Sequence, residues 1–299
     1  MVDELSWALY AVRLVHGVGI GGLFATFFTS ATDLIPVGRR AEGIALFGIS
    51  GIAAGGIGPL VGEIVLHRGG YALYFPTLAA LAFVALLGTL LLGRIGGLRH
   101  TATPAETHMR HLIFEPGRLR LWLVVATFGF TIGGFTIFVA PHVEREGLRS
   151  VSLFFLSYSA SAVVLRAFFS TLPDRIGLRR SLFPSLLALV LTALFLGFDA
   201  TNRGLVIAGI FGGVGHGFAF PVLGALAVER APQRERGAVM SVFTSAIDVG
   251  FLASGPALGY VARPYGYPAA FLGCGAMAIV GLVIFFARRR VREPVAQPR

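Results

Sequence analysis

Apolar stretches of about 20 residues, the length that crosses bilayer hydrocarbon as a helix, recur nine times along the chain. They fall at roughly 6–32, 44–66, 72–93, 121–141, 150–172, 182–198, 204–228, 238–262 and 268–287. Short polar connections separate them, with one exception. The stretch 94–120 (RIGGLRHTATPAETHMRHLIFEPGRLR) is long and Arg-rich and carries Pro104 and Pro116. The pattern predicts an all-α integral membrane protein with nine spans, a cytoplasmic linker over 94–120 with room for a short surface helix, and a polar tail over 288–299. Glycines at four-residue spacing recur inside the spans: Gly17/Gly21, Gly51/Gly55, Gly58/Gly62, Gly213/Gly217 and Gly255/Gly259. Small residues at that spacing let helix backbones approach closely in lipid, and packing is the preferred reading of all five pairs.

The chain also repeats itself at long range. Residues 17–22 read GVGIGG and residues 213–218 read GVGHGF, an offset of 196. At that offset Asp33 falls on Glu229 and Pro36 on Pro232. With small gaps, Gly58-Pro59-x-x-Gly62 matches Gly255-Pro256-x-x-Gly259, and Gly70-Tyr71-x-x-x-Phe75 matches Gly266-Tyr267-x-x-x-Phe271. Residues 6–93 and 204–287 are therefore two versions of one unit. The stretch 121–200, ahead of the second version, has no counterpart ahead of the first, so three spans are expected to be missing upstream. Duplicated halves in a hydrophobic chain point to a transporter. The missing counterpart keeps an alternative open: a truncated, non-transporting membrane protein or gene remnant.

Composition agrees with burial in lipid. Hydrophobic residues make up 55% of the chain and charged residues 13%, about half the charged share of a soluble domain. The net charge of +10 raises the question of nucleic acid, and the placement of the charge answers it. All 25 basic residues are Arg. When connections are assigned alternately to two sides, 18 of them lie on the side that holds the 94–120 linker and the C-terminus. Excess positive charge marks the cytoplasmic side, so the charge serves topology and no nucleic-acid partner is expected. Cys274 is the only cysteine, which excludes an intramolecular disulfide and any Cys-based metal motif. No nucleophilic triad, metal-ligand set or phosphate loop stands out, so no enzyme, cofactor or metal is expected.

Four motifs give the chain a family resemblance. Leu9-Tyr-Ala-Val-Arg13-Leu-Val-His16-Gly17-Val-Gly19 resembles the fourth-helix motif of major facilitator superfamily transporters. Gly58-Pro59-x-x-Gly62 resembles the fifth-helix motif associated with antiporters, and Gly255-Pro256-x-x-Gly259 repeats it in the eleventh helix. Ser170-Thr-Leu172-Pro-Asp174-Arg175-Ile-Gly177-Leu-Arg179-Arg180 resembles the cytoplasmic loop motif of the second half. The fifth-helix pattern departs from the family at Ala45, Ala54 and Glu63, and the loop motif departs at Ser170. The resemblance covers the fourth to twelfth helices, nine of the usual twelve. It implies that 1–93 is the C-terminal part of a first bundle, 121–287 a complete second six-helix bundle, and 288–299 a cytoplasmic tail. It also implies a monomer in the cell inner membrane, exporting a small organic molecule with protons by alternating access, although the architecture equally allows uptake. In the family, the first, fourth, seventh and tenth helices line the central cavity.

Four residues are candidates for transport and proton coupling. Arg13 lies inside an apolar span, where a charge costs about 2.5–3.5 kcal/mol on insertion scales. It either faces a bundle interior or wet cavity, near proton coupling as the family implies, or snorkels to the outer surface. His16, three residues on, shares its face. His216 interrupts the repeat, since its partner is Ile20. It either titrates in the cavity or is a packed, hydrogen-bonded imidazole. Asp248 is an acid in mid-span that cannot easily snorkel, and is the best candidate for a protonatable carboxylate. Arg166, lower in the eighth helix, is read as reaching the cytoplasmic surface, and Glu63 as solvated near the outer end of its span. The loop motif, with Asp174, Arg175, Gly177, Arg179 and Arg180, is read as a cytoplasmic gate. The resemblance places Asp174 under the start of the fifth helix, with the arginines pairing to Asp33 or Glu42. Asp174→Asn is accordingly expected to shift the protein towards inward-facing states. The reactivity of engineered single cysteines from the two sides reads this, and an unchanged pattern would sink the gate.

Overall fold

The computed structural model describes residues 7–34, 40–95, 109–114, 116–169, 172–229, 231–232 and 235–287. Among them are nine helices and no strand: α1 (Trp7–Leu34), α2 (Arg40–Ile95), α3 (Met109–Phe114), α4 (Pro116–Arg145), α5 (Ser152–Phe169), α6 (Leu172–Ile176), α7 (Leu178–Phe198), α8 (Asn202–Val228) and α9 (Arg236–Phe286). Six of these helices contain stretches long and apolar enough to cross a membrane. The architecture is an all-α membrane bundle, as the periodic apolar pattern predicts.

Two helices are far longer than a bilayer is thick: α2 runs for 56 residues and α9 for 51. Each breaks at a glycine. Gly70 has φ 58° and Gly266 has φ 82°, a region that side chains with a Cβ rarely enter. These are the two glycines that the long-range repeat aligns. The repeated Gly-Tyr pair is thus the turn between two spans, and each long helix comprises two crossings joined without a loop. The aromatic residues behind each turn pack locally. The Tyr71 and Phe75 rings stack at 5.9 Å, and Tyr267 lies 6.3 Å from the His142 ring.

The chain divides into two compact units, Met1–Gly51 with Thr77–Thr101, and Ile52–Pro76 with Ala102–Arg299. In the first, α1 is exposed over the apolar stretch Trp7–Leu23; Val18, for example, is 78% exposed. Surface of that kind is stable only against lipid or another apolar helix.

The second unit has a continuous core that includes Val124, Val125, Phe128, Leu186, Leu189, Leu223, Phe243 and Phe271, each 1% exposed or less. In it, α4 packs mainly on α9, α5 on α8, and α7 on both α8 and α9. Glycines set these contacts. A methyl group at Gly129 of α4 would strike the backbone of Ile247, and one at Gly250 of α9 would strike the carbonyl oxygen of Ala126. On α8, Gly209 and Gly213 lie against the backbone of Phe154 and Tyr158 in α5, and Gly217 faces Ala162. Polar groups are satisfied locally, as hydrocarbon requires. Thr127, Thr131, Ser185 and Thr192 each donate to a carbonyl three or four residues back.

The end of the linker is helical, and α4 begins at Pro116, a favoured first helical residue. Two side chains anchor this region. Trp122 Nε1 donates to the Leu112 carbonyl at 3.1 Å, tying α3 to α4. Arg120 donates to the carbonyls of Ile284, Phe285 and Ala287 at 2.5, 2.9 and 2.5 Å. It thereby satisfies carbonyls that the end of α9 leaves without helical partners.

The packing makes a stability prediction. Gly129→Val is expected to destabilise the full chain by about 1–3 kcal/mol, because the obstruction is backbone and cannot rotate away. Gly255→Ala, whose Cβ would sit 3.5 Å from Ile137 Cδ1, is expected to stay within about 0.5 kcal/mol of the parent. Thermal unfolding in detergent reads both, and equal midpoints would contradict the packing scheme.

Candidate functional site

The close approach of α5 and α8 positions a polar pair inside the second unit. With Gly213 seated on the Tyr158 carbonyl and Gly212 under its ring, Tyr158 and the following turn of α8 are held together. The Tyr158 hydroxyl lies 2.5 Å from His216 Nδ1. His216 is midway along α8 and part-buried. Its ring packs edge-on to Phe128 of α4 at 5.4 Å and lies 5.9 Å from Phe220. One turn further along, the Arg166 guanidinium stands over the Phe220 ring at 5.9 Å. Its Nε is buried and has no hydrogen-bond partner. Tyr158, His216, Phe220 and Arg166 thus form a continuous column flanked by Phe128. Phe220 is backed in turn by Phe243 of α9 at 5.4 Å.

The other candidates stand apart from this column. Asp248 is exposed on α9, and among the described residues no hydrogen bond or ion pair joins it to the column. Arg13 and His16 are exposed on α1, in the other unit. In the loop motif, Leu172–Ile176 forms the short α6, and Gly177 turns the chain into α7 with φ 93°. The Gly177 N–H donates to the Pro173 carbonyl at 2.9 Å, and the Gly177 carbonyl accepts from Ser181 N–H at 3.0 Å. Arg175, Arg179 and Arg180 are exposed. The side chains of Asp33, Glu42 and Asp174 lie outside the described residues. In the Gly-Pro-x-x-Gly motifs, a Cβ at Gly62 would sit 3.3 Å from the Tyr74 ring and one at Gly259 3.9 Å from Phe138. A Cβ at Gly58 would meet nothing within 4 Å, and Pro59 and Pro256 lie inside their helices.

Sequence reasoning passed over two features and the partners of a third. The first is Tyr158, one of seven tyrosines, which nothing but its partner distinguishes. The second is His142, fully buried between Phe271 and Tyr267 with neither ring nitrogen hydrogen-bonded. The third is Glu63, expected in solvent. Its Oε2 accepts from both Ser150 Oγ and Ser152 Oγ at 2.5 Å. The bonds fasten the first stretch of α2 to the start of α5, beside a cleft of about 480 Å³ that His67, Arg68 and Arg149 also line. One turn of α2 away from it, Gly56 packs directly on Ser159. The serines sit 87 and 89 positions from their acceptor, too far for any local pattern to signal the contact.

Glu63 therefore acts as a clasp in this conformation. Glu63→Ala is expected to loosen it. Leu60→Cys, lining the same cleft, should then react several-fold faster with a membrane-impermeant thiol reagent than in the Glu63 background. Unchanged labelling would mean that the glycine contact alone holds the two helices.

Comparisons with known proteins agree with this architecture. The model of the Major Facilitator Superfamily matches residues 4–156 and 121–299. An uncharacterized MFS-type transporter of Escherichia coli, YhhS, is 24% identical over 286 residues, covering 94% of this chain and 68% of the relative. An uncharacterized MFS-type transporter of Methanocaldococcus jannaschii is 26% identical over 171 residues, covering 56% of this chain and 44% of the relative. A third, from Burkholderia mallei, is 40% identical over 72 residues, covering 23% and 18% respectively.

Proposed function

The chain belongs to the major facilitator superfamily, and on that premise we propose that it is a secondary transporter that exports a small organic molecule in exchange for protons by alternating access. The family makes it a membrane transporter. Substrate, coupling ion and direction are the proposal. The observation that carries it is the Tyr158–His216 pair at mid-depth of the apolar helices. Transporter sites lie near the bilayer midplane, and polar side chains there are expensive unless they serve a pathway.

Protons need a carrier, and Asp248 is the acid proposed for it. An exposed carboxylate inside an apolar span cannot face lipid at modest cost, so it faces a wet cavity. Arg13 and His16 are the coupling residues proposed for the first unit, with Arg13 favouring ionised carboxylates nearby. The loop motif from Asp174 to Arg180 closes the cytoplasmic side and the Glu63 clasp the outer side. Breaking one while the other holds is alternating access in its simplest form. The Arg distribution supports a cytoplasmic C-terminus, in a multi-pass arrangement in the inner membrane. The protein works as a monomer without a cofactor, as 1–93, the 94–120 linker, the 121–287 bundle and the 288–299 tail.

Inside-out vesicles containing the full chain, energised to build a pH gradient and reported by a pH-sensitive dye, test the reading. A panel of organic anions, cations and neutral amphiphiles is added in turn. At least one compound should discharge the gradient, and Asp248→Asn should abolish the discharge. Folded protein that gives no proton-linked flux with any class would favour the alternative, a membrane protein that does not transport.

A further inference from the structure

We propose that the column formed by Tyr158, His216, Phe220 and Arg166 is a binding site for an organic anion, a carboxylate carried on an apolar body about the size of one aromatic ring. The inference rests on the transport reading and names the substrate class of that same site. Three observations support it.

The first is a cation with no ion-pair partner among the described residues. Among the described residues, α5, α7 and α8 contain no acidic side chain. In α4 the acid is Glu144, at the helix end away from the linker. In α9 it is Asp248, which among the described residues has no hydrogen bond or ion pair to the column. A guanidinium whose Nε is buried and unpartnered leaves hydrogen-bonding capacity unused where water is scarce, and such a donor is costly until something accepts from it. A carboxylate is the ligand its planar fork fits best, through two parallel charge-assisted bonds.

The second is the surface between the polar groups. Phe220 lies under the guanidinium and Phe128 lies against His216. Ligand sites combine apolar and aromatic walls with a few convergent polar groups; here Phe220 stands between the two polar ends and Phe128 flanks one of them.

The third is the spacing of those ends. Tyr158 and Arg166 are eight residues apart on one helix, about 12 Å along its axis. His216 and Phe220 fill that interval, so a ligand ring would lie alongside Phe220 with its carboxylate towards the guanidinium. The Tyr158–His216 pair stands at the other end, able to donate to or accept from a second polar group.

An arginine in the last turn of a helix is also favoured by the helix dipole, and the experiment separates that role from binding. The purified full chain in nanodiscs is titrated with 3-phenylpropionate, 3-phenylpropionamide and phenethylammonium, with binding read by the shift in thermal unfolding midpoint. The carboxylate should stabilise the protein, while the amide and the cation should not. Arg166→Lys keeps the charge but loses the fork, and should weaken carboxylate binding roughly 10- to 100-fold. Tyr158→Phe should weaken 3-(4-hydroxyphenyl)propionate more than 3-phenylpropionate. Circular dichroism and gel filtration certify that the variants are folded. Equal stabilisation by amide and carboxylate, or full affinity in folded Arg166→Lys, overturns the site. Carboxylate binding without vesicle flux would leave the site standing and remove the transport reading. Proton-linked flux of a cation, with no carboxylate binding, would do the reverse.

Discussion

The rest of the structure depends on how closely two helix backbones can approach when no side chain stands between them. In hydrocarbon there is little hydrophobic gain in bringing helices together, and association relies on contact and on hydrogen bonds. The α5–α8 contact shows how this works. Gly209, Gly213 and Gly217 form one stripe of α8, and along it lie the Phe154 and Tyr158 backbone and then Ala162. A larger residue at Gly209 or Gly213 would meet α5 backbone and push it away by about the width of a methyl group. The Tyr158 hydroxyl would then leave His216, which it now meets at 2.5 Å. The polar pair is a consequence of the glycine stripe, as is the stacking of Phe220 beneath Arg166.

Much of this frame was legible from residue pattern alone. The apolar runs gave the helices long enough to span. The repeat aligned Gly70 with Gly266, and the structure shows why both copies keep a glycine there: only glycine readily holds a positive φ at the head of a helix. The Gly213/Gly217 spacing pointed to close packing, and Gly213 does lie against Tyr158. Pattern could not say which face of which helix would be met. Tyr158 is ordinary in the sequence and becomes significant only through a histidine 58 positions away. Arg120 reads as another positive-inside arginine, yet it holds carbonyls more than 160 positions distant. Glu63 reads as a solvated acid because its two serines come from a different helix start. Arg166 reads as a surface anchor because the ring beneath it belongs to α8.

The repeat also shows where the two copies part. At the offset that aligns Gly17 with Gly213 and Gly21 with Gly217, Arg13 falls on Gly209, His16 on Gly212 and Ile20 on His216. The glycine pair is common to both copies, so the means of close packing is shared. The polar residues are not shared. In the second copy, Gly209 and Gly212 admit α5, and the polar group comes one turn later at 216. In the first copy, a long cation and an imidazole stand where those glycines would be. A helix could approach α1 closely at Gly17 and Gly21 but would be held off at Arg13. A span held apart at one end and close at the other encloses a wedge of space beside a charge, and a charge in an apolar span needs water or a counter-ion. Duplication thus supplies a packing frame, and the departures from it are the turns at which polar side chains enter each copy. That is a physical reason to look for transport residues where the repeat fails.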